Sequence, residues 1–159
     1  MHLYIAYKNY SSWSLRPWIA MKVADIPFKE TVLPFFHDDS LDRLGERFKI
    51  PAQVPVLEDG DEVIWDSMAI LERLAEIWAH FERADKPEGD FLCGHFSIVD
   101  AMYAPVMWRI HGYGLDVSPA FQQWIDAMLA LPAMQEWLSA AQAEDWVIEQ
   151  YETAGETVA

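Results

Sequence analysis

With 159 residues, 52% of them apolar and including eight tryptophans and eight phenylalanines, the chain has room for one domain, or for two small ones sharing an interface, around a substantial core. Its 11 Lys and Arg stand against 26 Asp and Glu, and the resulting net charge of −15 repels nucleic acid and anionic lipid, which makes both poor partners. The single cysteine, Cys93, excludes an intramolecular disulfide and any CxxC redox or zinc site. No window holds ~18 uninterrupted apolar residues and no stretch reads as a signal peptide, so the expectation is a soluble cytoplasmic protein.

The first part of the chain reads β-α-β. Leu3 to Tyr7 is a continuous strand-like run, and residues 12–24 carry Leu15, Trp18, Ile19 and Val23 at helical spacing. Pro17 is tolerable in a first helical turn and awkward further in. Asp25-Ile26-Pro27 ends that helix and Phe28–Leu33 suggests a second strand. The looser stretch 34–54 holds His37-Asp38-Asp39-Ser40, a solvated loop whose spacing matches no closed metal site, and a short helix around Leu41–Phe48. Val56-Leu57-Glu58 and Glu62–Trp65 flank Asp59-Gly60-Asp61, a hairpin signal. Asp66-Ser67 then caps a long helix with Ile70, Leu74, Ile77, Trp78 and Phe81 on one face.

Residues 84–90 form a loop, and everything after it reads helical. Ser97 is placed as an N-cap with Asp100 at the third helical position of a capping box, and Pro105 should kink that helix. Ser118-Pro119 opens the next helix, Leu131-Pro132 breaks it, and Met134, Trp137, Leu138 and Ala141 form a last stripe. The tryptophans and methionines are read as core, Cys93 as a small buried hydrophobe. After Arg109 there is no Lys or Arg, while eight acids follow, an acidic solvated helical surface.

Three features carry possible chemistry. Ser11 and Ser12 fall where a strand gives way to a helix, so hydroxyls, free backbone N–H groups and the helix dipole favour an anion there. A helix N-terminus also lowers a thiol's pKa. This chain has serines rather than cysteine at that point, so any thiolate handled here must arrive with a ligand. Gln53-Val54-Pro55-Val56 puts a proline at the start of a strand-like run; a cis bond there would turn the backbone of Val54 outward toward an extended ligand. Asp66 and Ser67 sit at a second helix N-terminus, fit to hold an amino acid by its ammonium and carboxylate. For the serine pair and for Asp66-Ser67, helix capping alone is the competing reading.

In this order the three features resemble the N-terminal half of a glutathione S-transferase. NYSSWSLRPW is similar to the serine-type active-site turn, the SSC-x-x-R pattern of the zeta class and its bacterial relatives, and VPVLEDGDEVIWDSMAILERLAE to the family's VP turn, hairpin and glutathione-binding helix. FLCGHFSIVDAMYAPVMWR and LALPAMQEWLSAA resemble the capping-box helix and late helices of its second domain. The resemblance implies a thioredoxin-like α/β domain over residues 1–76 and a shortened all-helical domain over 77–159. It implies Ser11 on the glutathione thiolate with Ser12 beside it. Val54, next to a cis Pro55, would pair with the cysteinyl unit, Asp66 and Ser67 with the γ-glutamyl end, and Gln53 would approach the glycyl carboxylate. Arg16 fits the motif's arginine and is assigned to structure or to the local field ahead of catalysis. Trp13 replaces the zeta cysteine, which counts against that class's isomerase chemistry, and Ala52 and Ile50 replace a customary glycine and proline.

The two long helices that open the family's second domain have no counterpart; the ends look fused near Ala75–Ile77. The expectation is a glutathione transferase with weakened or altered activity on a small electrophile, glutathione being its co-substrate, no metal its cofactor, and a homodimer, by a non-standard interface, its state. The alternative is a glutathione-binding or interaction module with little catalysis, its second-substrate pocket incomplete. A thioredoxin-fold oxidoreductase is disfavoured by the lack of a cysteine near Ser11.

Overall fold

A computed structural model describes residues 1–77 and 89–149. Four strands, β1 (His2–Ile5), β2 (Lys29–Val32), β3 (Val56–Asp59) and β4 (Glu62–Trp65), form one sheet in the order β2-β1-β3-β4. β2 runs parallel to β1, while β3 is antiparallel to β1 and β4 to β3. The helices are α1 (Ser12–Val23), α2 (Ser40–Phe48), α3 (Ser67–Ile77), α4 (Ile98–Tyr113), α5 (Pro119–Ala130) and α6 (Pro132–Gln142). The α/β part is thioredoxin-like, and a helical part follows it.

Strand alternation divides the core. Leu3, Ile5 and Leu57 face one side and join Leu15, Trp18, Ile70 and Leu74 of α1 and α3. Tyr4 and Val56 face the other, against Leu44 of α2. Full burial of each aliphatic side chain contributes about 1.5–3 kcal/mol. The first cluster continues without a break into Met107 of α4, Trp124 and Met128 of α5, and Met134 and Trp137 of α6. Trp18 and Trp137 meet edge to face at 5.1 Å, which ties α1 to α6.

Several boundaries differ from the sequence reading. β1 stops at Ile5, two residues early, because the Ala6 N–H is taken by Ser14 Oγ at 3.1 Å and the Tyr7 carbonyl accepts from Tyr10 and Ser11 in a turn. Pro17 lies at the sixth position of α1, beyond the first turn. Pro105 lies inside α4. Cys93 is exposed rather than buried. Phe91 pairs with Gly94 and Cys93 with His95 in a tight reversal, and the Leu92 N–H is held by Asp100, so the tip of the turn points its side chains outward. Asp38 accepts from the Ser40 N–H and Asp39 pairs with Arg43, as loop residues do. The expected continuation of the Ser67 helix through Trp78 and Phe81, and loop residues 84–88, lie outside the described residues.

Candidate functional site

Strand register brings the three sequence features together. Tyr4 lies opposite Val56, and Val56 opposite Trp65. The end of β1, the start of β3 and the end of β4 therefore share one edge of the sheet. The Ser11 turn follows β1, Val54-Pro55 precedes β3, and Asp66-Ser67 follows β4. One end of the sheet thus presents two helix N-termini and an irregular loop between them.

At the first corner Ser11 is buried and serves as the N-cap of α1, its Oγ accepting from the Ser14 N–H at 3.3 Å. The Ser11 hydroxyl also donates to Ser14 Oγ at 2.7 Å, and Ser14 is itself fully buried. Ser14 is an addition to the residues the sequence motifs mark. Its signal was the spacing, three residues after Ser11 and so one helical turn away. Of the N–H groups that open the helix, Ser11 and Ser12 give theirs to Tyr7 and Tyr10 carbonyls, Ser14 to the cap, and Leu15 to the Ser11 carbonyl. Among the described residues the Trp13 N–H and the Ser12 hydroxyl have no partner, and Ser12 is half-buried.

At the middle position the Val54–Pro55 peptide is cis. Pro55 is buried and Val54 and Gln53 half-buried. The Gln53 N–H donates to the Pro51 carbonyl at 2.8 Å, while the Val54 N–H and C=O have no partner among the described residues. Glycine shapes this loop. A Cβ on Gly45 would stand 3.0 Å from the Ile50 carbonyl and 3.2 Å from the Ala52 backbone, so Gly45 lets α2 approach it.

At the third corner Asp66 adopts a left-handed backbone, φ 86°, a strained conformation for a residue with a side chain. Its Oδ1 caps α3, accepting from Met68 N–H at 2.8 Å and Ala69 N–H at 3.4 Å. The carboxylate is exposed, and Oδ2 has no hydrogen-bond partner among the described residues. Ser67 is buried. Arg16 crosses from α1 to this corner, with Nη1 3.5 Å from Ser67 Oγ, Nε donating to the Met102 carbonyl at 3.2 Å, and its guanidinium 4.2 Å above the Trp13 ring. Burial pulls the Arg16 pKa down, Asp66 opposes the fall and Arg109 adds to it. Arg16 so acts as a strut between α1, α3 and α4.

Beyond the serines lies a cavity of about 630 Å³. Ser11 and Ser12 line it from one side, and Pro105, Trp108, Arg109, Tyr113 and Trp137 from α4 and α6 face them. Gln53, Val54, Asp66 and Ser67 are not in its walls. The site thus has two parts: a polar edge at the end of the sheet and a largely aromatic cavity that meets it at the serine pair. Among the described residues no three His, Cys, Asp or Glu side chains gather as a metal site would require, and no helix is long and apolar enough to cross a membrane.

A mixed four-stranded sheet with a cis proline and two helix N-termini at one edge, packed through α1 on a helical half, defines a thioredoxin-like domain joined to a helical domain. Residues 10–77 match the family model for the glutathione S-transferase N-terminal domain. No curated protein sequence matches the chain. Similar solved structures include a glutathione transferase homolog from Burkholderia gl BGR1 with bound glutathione (TM-score 0.66, 17% identity, 90% of this chain and 98% of that one). A second is a holo maleyl pyruvate isomerase, a bacterial glutathione S-transferase of the zeta class (0.68, 17%, 92% and 100%). A third is a sphingomonad glutathione S-transferase complexed with glutathione (0.65, 17%, 91% and 100%). Residues 10–77 thus match the N-terminal domain of that family, and the chain shares the fold of these structures.

Proposed function

We propose that the protein is a glutathione transferase. The observation that carries this reading is the set of unspent polar groups at one end of the sheet. They comprise a carboxylate oxygen on Asp66, both backbone groups of Val54, and the Ser12 hydroxyl and Trp13 N–H at the start of α1. Glutathione is an extended peptide with an α-amino acid at one end and a thiol in the middle, and these groups match it in order. Asp66 Oδ2 takes the ammonium, and Ser67 at the α3 N-terminus the γ-glutamyl carboxylate. Val54 pairs with the cysteinyl backbone, Gln53 approaches the glycyl end, and the sulfur falls to the serine corner. Two of the similar structures hold glutathione.

The thiol loses its proton to solvent, and the thiolate is held by hydroxyl and N–H donors at the positive end of α1. Ser11 gives its proton to Ser14 in the resting arrangement. Ser14 carries a proton of its own, so the pair reverses: Ser14 donates to Ser11, and Ser11 donates to sulfur. Ser11 Oγ then accepts from the Ser14 N–H and O–H and donates once, which fills the capacity of a hydroxyl. The thiolate attacks an electrophilic carbon in the cavity, a C–S bond forms, and the leaving group departs with its electron pair. Holding both reactants in one geometry supplies much of the acceleration.

The alternative, a glutathione-binding module with little catalysis, is favoured by one observation, the resting commitment of the Ser11 proton to Ser14. Retention on immobilised glutathione together with conjugation of 1-chloro-2,4-dinitrobenzene separates the two. Retention with turnover that falls in Ser11→Ala supports the transferase; retention without turnover supports the binding module. Absence of retention removes both. The reading also carries a homodimer and a cytoplasmic location, checked by sedimentation and by cell fractionation.

A further inference from the structure

The cavity beside Ser11 and Ser12 differs in charge from the rest of the molecule. The chain has a net charge of −15, yet among the described residues no Asp or Glu stands in the cavity wall, while Lys8 and Arg109 do. A carboxylate beside its rim, Glu144, is spent on the backbone N–H groups of Lys8 and Asn9 at 2.8 and 3.1 Å. Lys8 is also spent, its Nζ lying 2.6 Å from Glu30 Oε1. Arg109 is exposed and has neither an ion pair nor a hydrogen bond among the described residues. It is the last cation in the chain. Around it Trp108, Tyr113 and Trp137 supply flat apolar surface, and Leu15 lies on the opposite wall.

An unpaired guanidinium over an aromatic cavity suits one class of occupant. Its fork of donors matches a carboxylate bidentately, and the tryptophans and tyrosine stack on a planar ring. We propose that the second substrate is an aryl carboxylate, held by Arg109 through its carboxylate and by the aromatic walls through its ring. The role of the ligand as substrate rests on the transferase reading; its binding does not. A neutral aromatic forms no ion pair with Arg109, whereas a carboxylate meets there a cation with no acid among the described residues of the cavity wall.

Binding is read without glutathione, by quenching of tryptophan fluorescence with 3-nitrobenzoate and with 3-nitrobenzamide, its neutral isostere. The wild type is expected to bind the benzoate about tenfold more tightly than the amide. Arg109→Gln should equalise the two and leave amide binding unchanged, which also reports an intact fold, and Arg109→Lys should restore part of the preference. Equal affinities in the wild type, failure of both probes to bind, or a preference that survives Arg109→Gln would overturn the proposal. A second arm uses glutathione with 4-chloro-3-nitrobenzoate, where the C–S bond forms, the C–Cl bond breaks, chloride leaves with the electron pair and the thiol proton passes to solvent. There Arg109→Gln should raise KM for the benzoate about tenfold with kcat little changed. Benzoate preference without turnover would strike the transferase reading and leave the anion site standing.

Discussion

Two helix N-termini in this protein carry a serine and an aspartate, and they are put to different use. At the start of α4, Asp100 is fully buried and all its oxygen capacity is spent. Oδ1 accepts from the Leu92 N–H and from Trp124 Nε1–H, both at 2.9 Å, and Oδ2 from the N–H and hydroxyl of Ser97, both at 2.8 Å. At the start of α3, Asp66 spends one oxygen on the helix and leaves the other exposed to solvent. The same residue types at the same kind of position make a closed structural corner in one case and an open corner in the other. What separates them is the number of lone pairs and protons left over once the helix has been capped.

Replacement at the closed corner should have the largest effect on stability. Asp100→Ala strands four donors, the buried Trp124 indole N–H among them, and should cost about 3 kcal/mol or more, read as a lowered denaturant midpoint. The glutathione affinity of the protein that remains folded should stay unchanged. A large affinity change there would blur the distinction between the corners.

At the serine corner, Ser11→Ala removes the donor proposed for the thiolate and should lower kcat about 100-fold. The lost cap should cost about 1 kcal/mol of stability. Steady-state conjugation kinetics and thermal melts on the same preparation separate these effects.

At the open corner, two replacements of Asp66 sharpen the comparison. Asp66→Ala loses both cap and charge and should raise the glutathione Kd about tenfold while lowering stability by about 1 kcal/mol. Asp66→Asn keeps an oxygen for the cap and loses the charge that meets an ammonium. It should weaken glutathione to a similar degree with little change in stability, as titration and melting would report.

The least direct effect is expected at Ser14, which acts only through Ser11. Ser14→Ala removes the partner of Ser11 and leaves the Ala6 N–H without its acceptor. The expected result is a loss of about 1–2 kcal/mol in stability and roughly a tenfold fall in kcat, with KM for glutathione unchanged. A variant that loses stability alone would make Ser14 a structural hydroxyl and nothing more.

Much of this arrangement was legible in the sequence because it rests on local signals. The hairpin at Asp59-Gly60-Asp61, the caps at Ser97 and Ser118, and the break at Leu131-Pro132 each follow from turn or cap chemistry a few residues long. The three site segments were legible for the same reason, each being a motif at an element boundary. What pairing decided was hidden. Ending β1 at Ile5 depends on a bond between Ala6 and Ser14 made after the chain has turned. The exposure of Cys93 depends on Asp100 reaching back to Leu92. The cavity could not be read at all, because Ser11, Arg109 and Trp137 come from three separate helical regions that only tertiary packing brings to face one another.

The central claim is that the end of the sheet formed by Ser11, Val54 and Asp66 binds glutathione, the last of these through a carboxylate oxygen the fold leaves unspent. Calorimetric titration tests it most directly, with glutathione and with cysteinylglycine, which lacks the γ-glutamyl unit, run against the wild type and Asp66→Asn. The expected result is one glutathione per chain in the wild type, about tenfold weaker binding in Asp66→Asn, and binding of cysteinylglycine that is weak and alike in the two proteins. An absence of glutathione binding, or equal affinity in the wild type and Asp66→Asn, would contradict it.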